Sequence, residues 1–168
     1  MKIINLIGDI NKDFIKEFSE LDLLKSKDKV IINICSSGGD MDISYLFYQK
    51  VKTSKAQITV HLFRSYSGAS YIPLAVPYNQ VIAYPGTSML IHAPLYSVKD
   101  TIECVKQSVD YTYLLYERIF YEIYDRFLSE EEIYNCLCGK DIWLNQMEIL
   151  SRLERKAKRN GKKMKGGI

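Results

Sequence analysis

Apolar residues fall along this chain in two rhythms: short β-branched runs, and longer stretches where they recur every three or four positions. Ile3, Ile4, Leu6 and Ile7 mark a strand over residues 2–7. Phe14, Ile15, Phe18, Leu21, Leu23 and Leu24 predict an amphipathic helix over 11–25. After the Lys27-Asp28-Lys29 loop, Val30-Ile31-Ile32-Asn33-Ile34 reads as a strand running into Cys35-Ser36-Ser37-Gly38-Gly39-Asp40. A helix over 41–54 follows, then a strand over 57–63, a turn at Ser70 and a short helix. Strands over 80–84 and 87–92 come next, parted by Pro85-Gly86. Short strands alternating with helices imply parallel pairing through crossovers, hence an α/β class with a mostly parallel sheet.

From Thr101 to Leu128 the spacing of Ile102, Val105, Val109, Tyr113, Tyr116, Phe120, Ile123 and Phe127 predicts one long, aromatic-rich helix. Leu114, Leu115 and Ile119 widen its apolar stripe beyond what one sheet face needs, which points to a subunit contact as well as a core.

Composition refines this picture. At 168 residues and 47% hydrophobic, the chain can close one full core. The net charge of +3 is unevenly spread. Residues 152–165 hold eight Lys/Arg and one acid, so the rest of the chain is mildly acidic. The organisation expected is one domain over 1–150 and a basic, flexible tail over 151–168, solvated rather than bound to nucleic acid. No run of 18 apolar residues exists and the N-terminus has no signal-peptide core, so a cytoplasmic protein without membrane contact is expected. Cys35, Cys104, Cys136 and Cys138 show no CxxC spacing and there are two histidines, so neither metal nor cofactor is expected.

Three features carry candidate chemistry. Ser36-Ser37-Gly38-Gly39 follows a buried strand, where paired glycines let the backbone approach a ligand; Asp40-Met41 rules out a phosphate loop. Ser70, in Arg64-Ser65-Tyr66-Ser67-Gly68-Ala69-Ser70-Tyr71, stands before a short helix with Pro73 in its first turn. It is either an N-cap or a hydroxyl displayed at the helix dipole beside the N–H of Tyr71. His92 closes an apolar strand before Ala93-Pro94, as a structural residue or a base, while His61 lies inside a strand and reads as packing. A triad also needs an acid, and Asp141 stands out beside Trp143 in Gly139-Lys140-Asp141-Ile142-Trp143-Leu144.

Taken together these stretches resemble the Clp protease proteolytic subunit, within the superfamily shared with crotonases. "IINLIGDI" is similar to that family's opening strand, and "VIINICSSGGD" to its strand followed by Asn-Ser-Pro-Gly-Gly. "SGASY" is similar to its Ala-Ala-Ser-Met, "MLIHAP" to Met-Ile-His-Gln-Pro, and "GKDIWL" to Asp-Arg-Phe-Leu or Asp-Thr-Trp-Leu, in order across residues 3 to 150. The resemblance implies a spiral of ββα units with a long handle helix. It implies a serine endopeptidase acting on unfolded proteins or short peptides through an acyl-enzyme, with Ser70 as nucleophile, His92 as base and Asp141 as orienting acid. Gly39 and Tyr71 would supply the oxyanion hole, with Gly38 shaping the turn. A homo-oligomeric ring and a Clp-type ATPase partner are further implications. Departures are Tyr66 where the family has glycine, Ser37 for proline, Pro77 after the short helix, and "APLYSVKDTIE" in place of a Gly-rich handle turn. The chain starts at the first strand, without the family's N-terminal gating segment, which is similar to Clp-like proteases of phages or mobile elements. The competing readings are a catalytically idle ring or interaction subunit, which would not need all three triad residues, and a crotonase-type acyl-CoA enzyme, which needs no serine nucleophile.

Overall fold

The computed structural model describes residues 1–164, with side chains described as far as Lys158. Five strands form one sheet: β1 (Lys2–Ile10), β2 (Lys29–Gly39), β3 (Gln57–Tyr66), β4 (Val81–Ile91) and β5 (Ile142–Asn145). They lie in chain order across it; β1 to β4 pair in parallel, and β5 runs antiparallel to β4. The helices are α1 (Ile15–Ser19), α2 (Met41–Thr53), α3 (Ile102–Tyr124), α4 (Glu130–Leu137) and α5 (Gln146–Met164), with a 3₁₀ helix over Ser67–Leu74.

One face of the sheet makes the core. Ile4, Leu6, Ile32, Ile34, Val60, Leu62, Met89 and Ile91 point into it at the period-two spacing of strands. Phe18, Phe47, Ile72 and Phe120 cover them from the helices, and Phe127 from the turn after α3. Phe18 and Phe47 stack with ring centroids 3.9 Å apart, fastening α1 to α2. The other face leaves Ile3, Ile7, Phe63, Ile82 and Trp143 exposed.

Four expected elements differ. The helix over 11–25 is broken into a 3₁₀ turn at Lys12–Phe14, α1, and a second 3₁₀ turn at Glu20–Leu23. Asn11 caps the first piece through Asp13 N–H, and Phe18 and Leu21 still reach the core while Leu23 does not. The two strands parted by Pro85-Gly86 are one strand. Its ladder with β3 jumps from Ala83 opposite Leu62 to Ser88 opposite Arg64, so the missing N–H of Pro85 interrupts no pairing. Thr87 closes this bulge: its hydroxyl donates to Leu62 O (2.6 Å) and accepts from Tyr84 N–H (2.9 Å).

The third difference is the basic end. The boundary expected at 150/151 falls inside α5, and residues 151–158 are docked rather than loose. Leu153 is buried, Arg155 donates to Phe127 O (3.0 Å), and Lys156 donates to Ile123 O (2.8 Å). Burial lowers the Lys156 ammonium to about 8. Residues 165–168 of the expected tail lie outside the described residues. Arg152 grips Glu132 with two bonds of 2.9 and 2.7 Å, while Glu132 also closes a capping box with Ser129 at the start of α4. Chiefly through the Arg152 bonds, the Glu132 carboxyl falls to about 2 from 4.5. Because the folded value lies below the unfolded one, this pair stabilises fully above about pH 5, and its contribution fades as pH falls toward 2. Arg152→Met is therefore expected to cost about 1 kcal/mol at pH 7, a modest figure for a partly solvated pair. That cost should shrink markedly at pH 2.5 in paired urea melts; an unchanged difference at the two pH values would contradict the assignment.

The long helix is shorter than its expected 101–128 span. Thr101 caps α3 by accepting from Cys104 N–H (3.4 Å). Only Ile119, Phe120, Ile123 and Tyr124, near its C-terminal end, are buried. Upstream, Tyr111 (71% exposed), Tyr113 and Leu114 (55%) face outward, and Tyr96 of the preceding segment meets Ser108 of this helix at 2.6 Å.

Candidate active site

β2 and β3 both end at the same edge of the sheet, and their last residues frame a cleft of about 720 Å³. Its lining includes Ser37, Gly38 and Gly39 from β2, Ser67 and Gly68 following β3, and His92 following β4. Asp9, Asp40 and Asp42 add carboxylates, and Tyr71 and Tyr116 add aromatic walls.

The β2 end is built by local hydrogen bonds. Ser36 Oγ donates to Gly8 O (2.5 Å) and accepts from Gly38 N–H (3.1 Å), so Gly38 already has a partner for its donor. Gly38 sits at φ +95° and lies so close to the next loop that a Cβ there would be 2.6 Å from Ser67 Cβ and 2.7 Å from Tyr66 O. A Cβ at Gly39 would be 2.2 Å from Ile10 O. Both positions thus demand glycine, and the β2 terminus is pressed directly against Ser67. Asp40 then starts α2, accepting from Ile43 N–H (2.9 Å) and donating its own N–H to Ile10 O (2.9 Å).

Ser67 is the first residue after β3, half-buried, with φ +52°. Left-handed backbone at a non-glycine residue is sparsely populated and persists where its surroundings fix it. This geometry turns the chain sharply from strand to helix and leaves Ser67 on the cleft. Gly68 follows it at the helix N-terminus, where backbone N–H groups have no intrahelical partner.

Ser70 was expected at the helix start; it lies instead in the second turn, 0% exposed and outside the cleft lining. Its Oγ is engaged twice, donating to Ser67 O (2.6 Å) and bonding Tyr124 Oη (2.6 Å). Tyr71, the expected oxyanion donor, likewise falls in the helix interior, where i→i−3 pairing uses backbone donors, although its buried ring forms part of the cleft wall. Gly38, Gly39 and His92 line the cleft.

His92 is half-buried and follows Ile91, which pairs with Ile142 at the end of the β4–β5 ladder. Asp141 is the residue just before Ile142, so the two side chains occupy the next position on neighbouring strands. Asp141 is exposed and does not line the cleft, and no hydrogen bond joins His92 to Asp141 or to Ser67 in this structure. His61, by contrast, is a packing residue whose Nδ1 meets Tyr84 Oη at 2.9 Å. Among the described residues no cluster of His, Cys, Asp and Glu has the makings of a metal site, and no helix is long and apolar enough to cross a membrane.

A profile of the family described as Clp protease matches residues 2–151. The chain belongs to the Clp protease family. It is 29% identical over 99 residues to ATP-dependent Clp protease proteolytic subunit 2 of Treponema denticola, an alignment covering 56% of this chain. That alignment spans half the length of this curated relative. Its fold is similar to that of a ClpP1 mutant from Listeria monocytogenes, with a TM-score of 0.70 at 24% identity, covering 89% of this chain and 86% of the other. The α/β fold with a mostly parallel sheet is thus that of the Clp family.

Ser67 lines the cleft and is not singled out by the sequence pattern. The signal was its position. Had β3 been followed to Tyr66 rather than stopped at Phe63, the first residue past the strand would have been Ser67, not Ser70.

Proposed function

We propose that this chain is a serine endopeptidase of Clp type in which Ser67, rather than Ser70, is the nucleophile. His92 is the general base, Asp141 orients it, and the backbone N–H groups of Gly39 and Gly68 receive the oxyanion. The observation that carries this reading is the strained strand-to-helix corner at Ser67, which faces a cleft shared with His92 and the two glycines. Ser70 has no such access.

The chemistry follows from those positions. His92 takes the Ser67 Oγ proton as the oxygen attacks the scissile carbonyl, and the carbonyl oxygen gains a negative charge against the N–H donors. The C–N bond breaks, the amine leaves with the proton held by His92, and water then hydrolyses the Ser67 ester by the same proton route. Asp141 meets His92 Nδ1 when substrate draws the end of β4 and the start of β5 together, since catalytic hydrogen bonds often tighten only in the substrate complex. The open cleft suits an extended peptide, either a short peptide or a segment of unfolded protein.

Two partners belong to the same proposal. The outward apolar side chains of α3 support a homo-oligomer, a ring as in the family. A Clp-type ATPase is a candidate feeder, supported by the ATP-dependent designation of the T. denticola relative.

The test is incubation with a fluorophosphonate probe, followed by peptide mapping and by light scattering of the labelled protein. Labelling at Ser67, in a particle several times 19.5 kDa, is the expected result. Labelling at Ser70 would return the nucleophile to that residue. No labelling in an assembled particle would favour an idle ring subunit, and a labelled monomer would remove the oligomer from the proposal.

A further inference from the structure

The cleft is rich in hydrogen-bond acceptors and negative charge that the proposed reaction leaves unused. Asp9 reaches it from the end of β1, and Asp40 and Asp42 from the start of α2. Among the described residues that line it there is no lysine or arginine. Part of the charge has a local use. Asp40 caps α2 by accepting from Ile43 N–H (2.9 Å), and Asp9 accepts from the Ser37 hydroxyl. An acid in the first turn, as at Asp42, also favours the helix dipole. The dipole does not explain why a carboxylate of β1 converges on the same space. Nor does Asp42 have a hydrogen bond or ion pair among the described residues.

The aromatic wall points the same way. Tyr71 is 3% exposed, yet its hydroxyl meets no hydrogen-bond partner among the described residues. It is not sealed in the core either. Among the described side chains, Ser65 Oγ is the polar atom that is both enclosed and unpartnered, whereas Tyr71 opens onto the cleft. Buried polar groups normally find a partner, and here the occupant of the cleft has to supply it. Tyr116, on α3, links this hydroxyl to the acids. Burial first, then Asp42 and Asp40, raise the Tyr116 pKa, while burial and then Tyr116 raise that of Tyr71. Both phenols therefore stay protonated, each with lone pairs free to accept.

We propose that the cleft selects peptides with an arginine or lysine side chain beside the cleaved bond, its cationic head held among Asp42, Asp40, Tyr116 and Tyr71. The inference rests on this cleft being where peptide bonds are cut, and it is the same whichever serine attacks. Asp40 directly follows Gly39, so a cation held there lies next to the glycine proposed to receive the oxyanion. Met41, Pro94 and Leu95 give the alkyl stem an apolar track. A leucine in that place would leave the Tyr71 hydroxyl unmet and strip water from carboxylates without returning a charge. A glutamate would be repelled. Arginine should outdo lysine, because its planar fork can meet a carboxylate and a phenol together.

The experiment uses the full chain and fluorogenic peptides that differ only in the residue before the scissile bond: arginine, citrulline, leucine or glutamate. Citrulline keeps the length and shape of arginine without its charge. The arginine peptide is expected to exceed the citrulline peptide about 30-fold in kcat/KM, with glutamate slowest. Raising the salt from about 0.05 M to about 0.5 M should cut that ratio severalfold, since the carboxylates are exposed. Asp42→Asn should reduce the arginine-to-citrulline ratio about fivefold, and Tyr71→Phe about threefold. Equal rates for arginine and citrulline, leucine as the fastest substrate, or a ratio unmoved by Asp42→Asn would each overturn the proposal. Should no peptide be cut, fluorescence anisotropy with dye-labelled arginine and citrulline peptides reads the cleft without turnover. Equal affinities would then overturn the selectivity. Tighter binding of the arginine peptide, with neither cleavage nor fluorophosphonate labelling, would uphold it and refute the peptidase reading alone.

Discussion

Ser67→Ala is expected to lower peptide hydrolysis by about 10⁴-fold or more, and Ser70→Ala by about tenfold. The contrast follows from what each hydroxyl does. The Ser67 hydroxyl would form the covalent bond, so without it only binding and the oxyanion donors act on the substrate. The Ser70 hydroxyl is spent on Ser67 O and Tyr124, has no exposed surface, and would have to break two short hydrogen bonds to reach a substrate. Steady-state assays on the two purified variants decide the matter. A Ser70→Ala enzyme as inactive as Ser67→Ala, with a normal fold, would require Ser70 to leave its buried site for the chemistry.

The second large effect is expected at Gly68. A Cβ there would stand 2.2 Å from Ser44 Oγ and 2.7 Å from Ser44 Cβ, and Ser44 is a buried residue of α2 whose hydroxyl donates to Asp40 O (2.6 Å). The Cβ cannot move without the helix backbone, and turning the hydroxyl away would break its bond to Asp40 O. Gly68→Ala should therefore push the corner off α2, costing about 2–3 kcal/mol in urea denaturation. It should also lower the labelling rate at Ser67 by about 100-fold, because a displacement near 1 Å misaligns a nucleophile. Adding Ser44→Gly removes both clashing atoms. The double variant should recover labelling to within about tenfold of the parent while staying about 1 kcal/mol less stable, the usual cost of glycine inside a helix. If Ser44→Gly restores stability without restoring labelling, the loss at Gly68 has another cause, such as strain in its own N–H direction.

How legible all this was in the sequence depends on what each residue had to obey. Ile32, Ile34, Val60 and Leu62 are buried in a strict alternation, and alternation is visible in the chain itself. The same rule failed at the end of β3. The register with β2 shifts between Ile34 and Cys35, and that with β4 between Leu62 and Arg64. The shift turns Ser65 inward and leaves Phe63 and Arg64 outside, so alternation alone ends the strand three residues early. With the strand followed to Tyr66, Ser67 rather than Ser70 is the first serine past it. The glycine pair of β2 and His92 were legible because they sit at the ends of plain apolar strands. Asp141 was legible as a candidate beside Trp143, but not its place across the ladder from His92, which depends on β5 pairing antiparallel over only four residues. The basic end misled for a different reason. Charge count suggested a solvated tail, yet Arg152, Arg155 and Lys156 turn toward a carboxylate and backbone carbonyls near the end of α3, a use of charge that composition does not encode.

The burial of α3 only near its C-terminal end gives the molecule a lever. At about 1.5 Å of rise per residue, the 23-residue helix is about 34 Å long, and its fulcrum lies near Phe120 and Tyr124. A lever with such unequal arms gears motion down. Swings of several ångströms at the Ile102 end become sub-ångström displacements at the Tyr124 hydroxyl, while force applied at the tip is multiplied at the pivot. Displacements of the outer helix would thus reach the bond between Tyr124 and Ser70 scaled down, and a load on its apolar tip would reach the same bond amplified.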